Sequence, residues 1–424
     1  MKKIEINARK LQNISYFCIV KRFKSIFRAF VLYFLCSLAT SVSAQEVDST
    51  LLIKMDSVDI SLLTCGPGSE VYTLYGHTAI RVNDRAANED LVVNYGMFSF
   101  DQPFFVLRFV FGLTDYQMGI TTMEHFMKVY QTENRWIKEQ RLNLSATEKA
   151  IMLKAIAKNY EPQNRTYRYN YFYDNCTTRA RDMIVDHVAG KVSYAESSEE
   201  GDSFRELTHA WNANHRWARF GNDLLLGLKA DQPTTLVQRQ FLPDNLRQDF
   251  AKAVVTDANG NRRQLVADEQ QIGHATKSLD MSVSAFVTPV LCFITLAVLI
   301  FFATLIEFKH RRRYWLLDAI LLAVDGLAGV ILLLMVFSQH PTVSLNLQIL
   351  LLNPLSLVFL YPAVSKSKRG ELHWFWIAFA CCILMFLIGN LMQCYAEGMN
   401  ILALSLLVRC WVNIETKSLR RIKK

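Results

Sequence analysis

The sequence predicts an α+β domain outside the cytoplasmic membrane followed by an all-α bundle of about five membrane helices. Three observations predict it. Long apolar stretches occur only after about residue 285, at 286–306, 315–337, 345–363, 373–393 and 399–413, and each is long enough, or nearly so, for a hydrocarbon core of ~30 Å. Basic clusters follow the first, third and fifth stretches and are missing from the loops between the others. Upstream, residues 45–284 mix alternating strand-like runs with helical periodicity.

The first 44 residues hold eight Lys/Arg and one acid, and Lys21, Arg22, Lys24 and Arg28 precede the apolar run Ala29–Leu38. That run ends in Ser41-Val42-Ser43-Ala44, the pattern of a secretory signal cleaved after Ala44. An uncleaved anchor is the alternative, and either route exports the downstream domain. The domains expected are a signal at 1–44, a soluble catalytic domain at 45–284, a transmembrane domain at 285–413 and a basic cytoplasmic tail at 414–424.

The net charge of +9 does not indicate nucleic acid, because it is unevenly placed. Between Gln45 and Ser284 there are 26 basic and 31 acidic residues, so the soluble domain is mildly acidic. The excess belongs to topology. Lys309–Arg313, Lys366–Arg369 and Lys417–Lys424 lie on one side, whereas Ser338–Ser344 and Gln393–Gly398 carry no Lys or Arg. The positive-inside rule then puts the C-terminus in the cytoplasm and residues 45–284 outside.

Within the second apolar stretch, Asp325 is followed by Gly326 and Gly329. A carboxylate at membrane depth is costly and marks either function or a polar helix contact, here with Asn346 or Asn353. His340-Pro341, at the outer end of the same stretch, either faces the soluble domain's site or caps a loop. Pro354 and Pro362 interrupt the third stretch.

In the soluble domain, residues 59–64 read as a strand ending in the turn Cys65-Gly66-Pro67-Gly68, and His77–Val82 and Leu91–Phe98 as a hairpin across a polar loop. Pro103–Leu113 is Phe-rich and too short to span, so it is a buried element or one that enters the lipid interface. Helices are expected over Thr122–Tyr130 and Ser145–Tyr160, the latter opening with the capping box Ser145-Ala146-Thr147-Glu148. The alternating run Tyr167–Tyr173 reads as a strand. It stops at Asp174-Asn175-Cys176, where a helix begins with Asp174 or Asn175 as N-cap.

Of nine cysteines, only Cys65 and Cys176 lie in the external domain. A disulfide between them is one reading in an oxidising compartment. The other makes Cys176 a nucleophile, because a thiol at a helix N-terminus meets unpaired N–H groups and the positive dipole end, which favour thiolate and an oxyanion. The base must come from His77, His125, His187, His209, His215 or His274. His77 is best placed, opening a strand directly after Gly76, while His125 and His187 sit in helical contexts. Asn94 shares a face with His77 if odd residues of the first hairpin strand pair with even residues of the second, and would orient the ring. HExxH, CxxC, Walker and GxSxG patterns are missing from the soluble domain.

Gly66-Pro67-Gly68-Ser69-Glu70 with Tyr75-Gly76-His77-Thr78-Ala79-Ile80-Arg81-Val82 resembles the first signature of the Lnb-type lipoprotein N-acyltransferase family. Asp174-Asn175-Cys176-Thr177-Thr178-Arg179-Ala180-Arg181-Asp182 resembles the second. Trp217, Asp223-Leu224-Leu225-Leu226-Gly227, Phe241-Leu242-Pro243, Asp325-Gly326, His340-Pro341 and Asn353-Pro354 fit its later segments. A more distant likeness is to circularly permuted papain-like enzymes, in which the His strand precedes the Cys helix. The resemblance implies a periplasmic permuted papain-like domain on an inner-membrane bundle. It also implies acyl transfer from a phospholipid, through a Cys176 thioester with His77 as base, to the α-amino group of a diacylglyceryl-cysteine lipoprotein. No cofactor or metal is implied, and Tyr75, Arg179, Asp325 and His340 are assigned to substrate binding. Fold likeness alone does not exclude a membrane-tethered cell-wall cysteine peptidase or amidase, or an envelope binding protein with a Cys65–Cys176 disulfide.

Overall fold

A computed structural model describes residues 54–98, 103–195, 201–275 and 287–415. The leader with its Ala44 cleavage point, most of the acidic loop, the juncture into the first apolar stretch and the Lys417–Lys424 tail lie outside the described residues.

The N-terminal part is organised on a seven-stranded antiparallel sheet. Its strands are β1 (Val58–Cys65), β2 (His77–Asp84), β3 (Glu89–Met97), β4 (Asp115–Thr122), β5 (Ile137–Leu142) and β6 (Thr166–Arg168). β7 (Lys191–Ser193), β8 (Val254–Thr256) and β9 (Arg262–Gln264) form a small second sheet, and β10 (Val266–Gly273) returns to the first. The large sheet runs β10-β5-β1-β2-β3-β4-β6. β1 is an interior strand beside the central β2, and seven of its eight residues are buried, as expected of a strand covered on both faces.

The helices of this part are α1 (Phe105–Val110), α2 (Met123–Thr132), α3 (Ala146–Tyr160), α4 (Cys176–Val185), α5 (Phe204–Asn212), α6 (Arg216–Leu225), α7 (Leu236–Arg239) and α8 (Pro243–Lys252). Local chemistry explains their starts. Ser145 and Glu148 form the expected reciprocal capping box, and Ser203 with Glu206 forms another. α4 packs across β2 and β3, which brings its first turn to the start of β2.

Expectation and structure differ at several strands. β5 carries Glu139 and Gln140 inward, both buried, because Arg81 on β2 pairs with Glu139 at 2.9 Å and Gln140 donates to the Arg247 carbonyl. Buried polar residues satisfied by distant partners hide the strand from an apolar-periodicity reading. β4 and β10 are likewise outside the sequence expectation. The aromatic run forms a strand only over Thr166–Arg168; Asn170 and Asp174 then close a tight turn.

The C-terminal part comprises α9 (Pro289–His310), α10 (Trp315–Val336), α11 (Leu355–Val358), α12 (Leu360–Lys368), α13 (Trp374–Gly389) and α14 (Met399–Ile414). α9 and α10, with 22 residues each and mean hydropathies of 2.7 and 2.6, are long and apolar enough to cross a membrane. The third stretch is a broken pair bent by 76° beside Phe359. The fourth and fifth are apolar helices of 16 residues, roughly 24 Å long. By length and composition the described residues supply two to three spans, with α13 and α14 as shorter apolar helices.

A buried ionic cluster escapes the sequence reading, which singles out Asp325 alone. Arg409 of α14 binds Asp318 of α10 and Glu307 of α9, each at 2.8 Å, and Asn413 donates to Asp318. Charges inside an apolar bundle persist when paired, and here three helices share one pairing.

The last turn of α6 docks the N-terminal part on this bundle. Helix-terminal carbonyls lack intrahelical donors, and the bundle supplies them: Gln348 donates to Asp223 O at 2.9 Å, Asn346 to Leu224 O at 2.8 Å and Gln393 to Leu226 O at 3.1 Å. Arg205, 1% exposed, holds the same turn through Asp223 and Asp231. Gly227 then passes so close that a Cβ would sit 2.2 Å from the Leu345 carbonyl oxygen. Gly227→Ala is therefore expected to lower stability by roughly 1–3 kcal/mol, the range for overpacking, seen as a lower melting temperature in detergent. Gly221→Ala in α6, with nothing within 4 Å of its Cβ, is the matched control and should not destabilise.

Candidate active site

Two chain segments far apart in sequence meet at the start of β2. On one side, Asn175 caps α4. Its Oδ1 accepts the Thr177 and Thr178 N–H groups, both at 2.9 Å, and its Nδ2 donates to the carbonyls of Tyr171 and Phe241. Cys176, the first residue of α4, is thereby held on a buried, fully anchored turn. On the other side, Gly76 at φ +81° brings β2 against the Cys65 carbonyl, where a Cβ would lie 2.5 Å from the oxygen. The two segments are joined by a buried hydrogen bond between Thr78 and Thr177 hydroxyls at 3.0 Å.

This junction places His77 beside Cys176. The imidazole hydrogen-bonds the thiol, as do the Thr78 backbone and the Thr177 hydroxyl, the latter at 3.8 Å. Burial pushes the Cys176 thiol up, but the His77 charge and these hydrogen bonds outweigh it and bring it from 9.0 down to about 7. Asn94 completes the set. Ala79 pairs with Asn94 in the β2–β3 ladder, so odd residues meet even ones and Asn94 lies diagonally from His77 on the same face. His77 Nε2 donates to Asn94 Oδ1 at 3.2 Å. Because an amide oxygen only accepts, this bond keeps Nε2 protonated and leaves Nδ1 as the nitrogen that exchanges a proton with the sulfur.

One expectation needs correction. The unpaired N–H groups of the first helical turn are expected from sequence to serve an oxyanion, but Asn175 already occupies those of Thr177 and Thr178. The Cys176 N–H, adjacent to the sulfur, is what remains of that first turn. Cys65 and Cys176 are both free thiols. Cys65, paired with His77 across the β1–β2 ladder, is buried, and that burial pushes its thiol up to about 12.

Cys176 and His77 line a cavity of about 250 Å³. Its wall is unusually aromatic: Tyr75, Tyr116, Tyr130, Tyr169, Tyr171 and Phe241 all reach it. Residues 46–210 match the family model described as the Lnb N-terminal periplasmic domain, and residues 281–419 match that of the Lnb transmembrane domain. The chain belongs to the Lnb family. No curated protein and no solved structure matches it.

In this Lnb chain the other anticipated residues fall in different places. Tyr75 lines the cavity, and its hydroxyl accepts Asn212 at 3.0 Å and Asn222 at 2.7 Å from α5 and α6, the pair beside the bundle. Arg179 is not part of the cavity wall. It forms a two-bond ion pair with Asp174 at 2.6 and 2.8 Å and lies 3.6 Å from the centre of the Tyr167 ring, bracing the turn before Cys176. Asp325 sits inside the bundle, where Oδ2 accepts the Ser356 hydroxyl at 2.6 Å and the Asn353 N–H at 3.2 Å. It serves backbone freed at Pro354, the helix-contact reading rather than a cavity role. His340 binds the Phe109 carbonyl at 3.2 Å and is also outside the cavity wall.

Apart from Tyr75, the tyrosines of the Lnb cavity are site residues that sequence reasoning misses. For Tyr169 and Tyr171 the signal is the alternating run Tyr167–Tyr173, whose odd positions read as strand packing; Tyr116 and Tyr130 arrive from other elements. Among the described residues no three His, Cys, Asp or Glu side chains converge on a metal-sized site.

Proposed function

We propose that this Lnb protein is a lipoprotein N-acyltransferase of the inner membrane that works through a Cys176 thioester. Family membership points to lipoprotein N-acyltransferase-type function. The observation that carries the finer reading is the Cys176–His77–Asn94 arrangement in an aromatic cavity on a domain docked to an apolar bundle.

In this mechanism the Cys176 thiolate attacks an ester carbonyl of a phospholipid, and the Cys176 N–H supports the oxyanion. The carbon–oxygen bond breaks, the leaving lysophospholipid oxygen takes a proton from the His77 imidazolium, and a thioester remains. The neutral α-amino group of a diacylglyceryl-cysteine then attacks the thioester. It gives its proton to His77 as the carbon–sulfur bond breaks, regenerating thiolate and imidazolium. Both substrates are lipid-bound, which is the reason for a membrane part. The topology proposed has residues 45–284 in the periplasm and the C-terminus in the cytoplasm, supported by the alternation of basic loops.

Mass spectrometry of lipoprotein N-termini from cells lacking the protein should show loss of the amide-linked chain, with restoration by the intact gene. Unchanged triacylation would sink the proposal. A shift confined to muropeptide profiles would instead support a cell-wall peptidase.

A further inference from the structure

Two exposed apolar features flank the site: α1, beside the bundle, and an aromatic row at the cavity rim. α1 and its flanks expose Phe104 (79%), Leu107 (49%) and Phe109 (40%). Phe104 is held at φ +56°, a left-handed conformation that aromatic residues seldom adopt, and water offers no reason for keeping a strained phenyl ring exposed. The position of α1 supplies one. The Phe111 carbonyl accepts the Gln339 N–H at 2.9 Å and the Phe109 carbonyl accepts His340, so α1 is fastened three to four residues beyond the end of α10. Phe337, at that end, is 71% exposed. The joint itself is polar, with Gln339 also meeting Arg168, but it fixes the exposed apolar side chains of α1 beside the end of a helix long and apolar enough to cross a membrane.

At the cavity rim an aromatic row runs inward. Tyr72 is 62% exposed at the rim and meets Phe98 edge-on at 6.1 Å. Phe98 stacks on Tyr116 at 4.8 Å, and Tyr116 on Tyr169 at 4.1 Å, deep in the wall shared with Cys176. A cavity of about 250 Å³ lies below the ~300–1,000 Å³ that drug-sized ligands fill. It admits a reacting ester but not a diacyl lipid, whose remainder must stay in the membrane.

We infer that α1 lies in the outer interface of the bilayer and passes one acyl chain of a phospholipid laterally from the membrane, past Tyr72, to Cys176. This rests on the reading of Cys176 as the acyl acceptor. Amphipathic segments with aromatic and aliphatic side chains take this position at lipid interfaces.

The test uses the full chain in phosphatidylethanolamine vesicles. Single-turnover thioester formation on Cys176 is measured from the vesicle lipid and from a water-soluble p-nitrophenyl butyrate. F104S/L107S/F109S should lower the first rate at least tenfold and leave the second within twofold. Unchanged vesicle acylation, or equal loss with both donors, would overturn the lateral route. Independently, F104W in vesicles of brominated lipid should show tryptophan quenching relative to the unlabelled-lipid control; no quenching also overturns it. If wild-type Cys176 forms no thioester with either donor, the acyltransferase reading fails, while the quenching result still reports where α1 lies.

Discussion

Replacing Cys176 with alanine is expected to abolish acyl transfer, by roughly 10⁴-fold or more, the scale seen when a covalent nucleophile is removed. The thiol is the group whose surroundings are arranged for ionisation. His77 and the Thr78 backbone bring it to about 7, whereas Cys65, one strand away, is driven to about 12 by burial. Intact-protein mass after one turnover with phospholipid should show an added acyl group on wild type and none on Cys176→Ala. Cys65→Ala should still acquire the acyl group. Acylation of Cys176→Ala at another residue would remove the nucleophile assignment.

His77→Ala has the second largest expected effect, a fall in kcat/KM of about 10²–10⁴-fold, and its sign with pH follows from the thiol. In wild type the reactive form is the thiolate, whose midpoint lies at about 7 rather than 9.0. The rate should therefore rise through pH 7 on its acidic limb, with about a tenth of the thiol ionised one unit below the midpoint. Without the imidazole, the burial cost at Cys176 is opposed only by the Thr78 and Thr177 hydrogen bonds. The acidic limb should then move upward by at least about one unit. Iodoacetamide alkylation of Cys176 reports this without relying on the acyl reaction. An alkylation profile identical in both proteins would show that His77 does not hold the proton balance of this thiol.

Some of the fold is readable in the sequence because its cause is local. The Ser145–Glu148 capping box, the Asn175 cap and the helix start at Cys176 each depend on residues within four positions of one another. The apolar stretches after residue 285 are readable because membrane depth constrains composition directly. β5 is not, since Glu139 and Gln140 become acceptable inside only once Arg81 and the Arg247 carbonyl arrive from elsewhere. Arg409, Glu307 and Asp318 illustrate the same limit within the bundle, where each alone contradicts its surroundings and together they compensate.

The site divides along the same line. Sequence by itself determined a cysteine at a capped helix start, a histidine opening a strand, and the apolar stretches of a membrane part, because each is a property of neighbouring residues. Tertiary structure decided that Ala79 pairs with Asn94 and so directs the His77 proton, that Thr78 and Thr177 join the two segments, and that Asn175 occupies the amides expected to stabilise an oxyanion. It also decided that Asp325 serves a broken helix while Tyr75 and Tyr171 line the cavity. The physical reason is that register, ring tautomer and burial are fixed by partners tens to hundreds of residues away, for which no local pattern in the chain is a substitute.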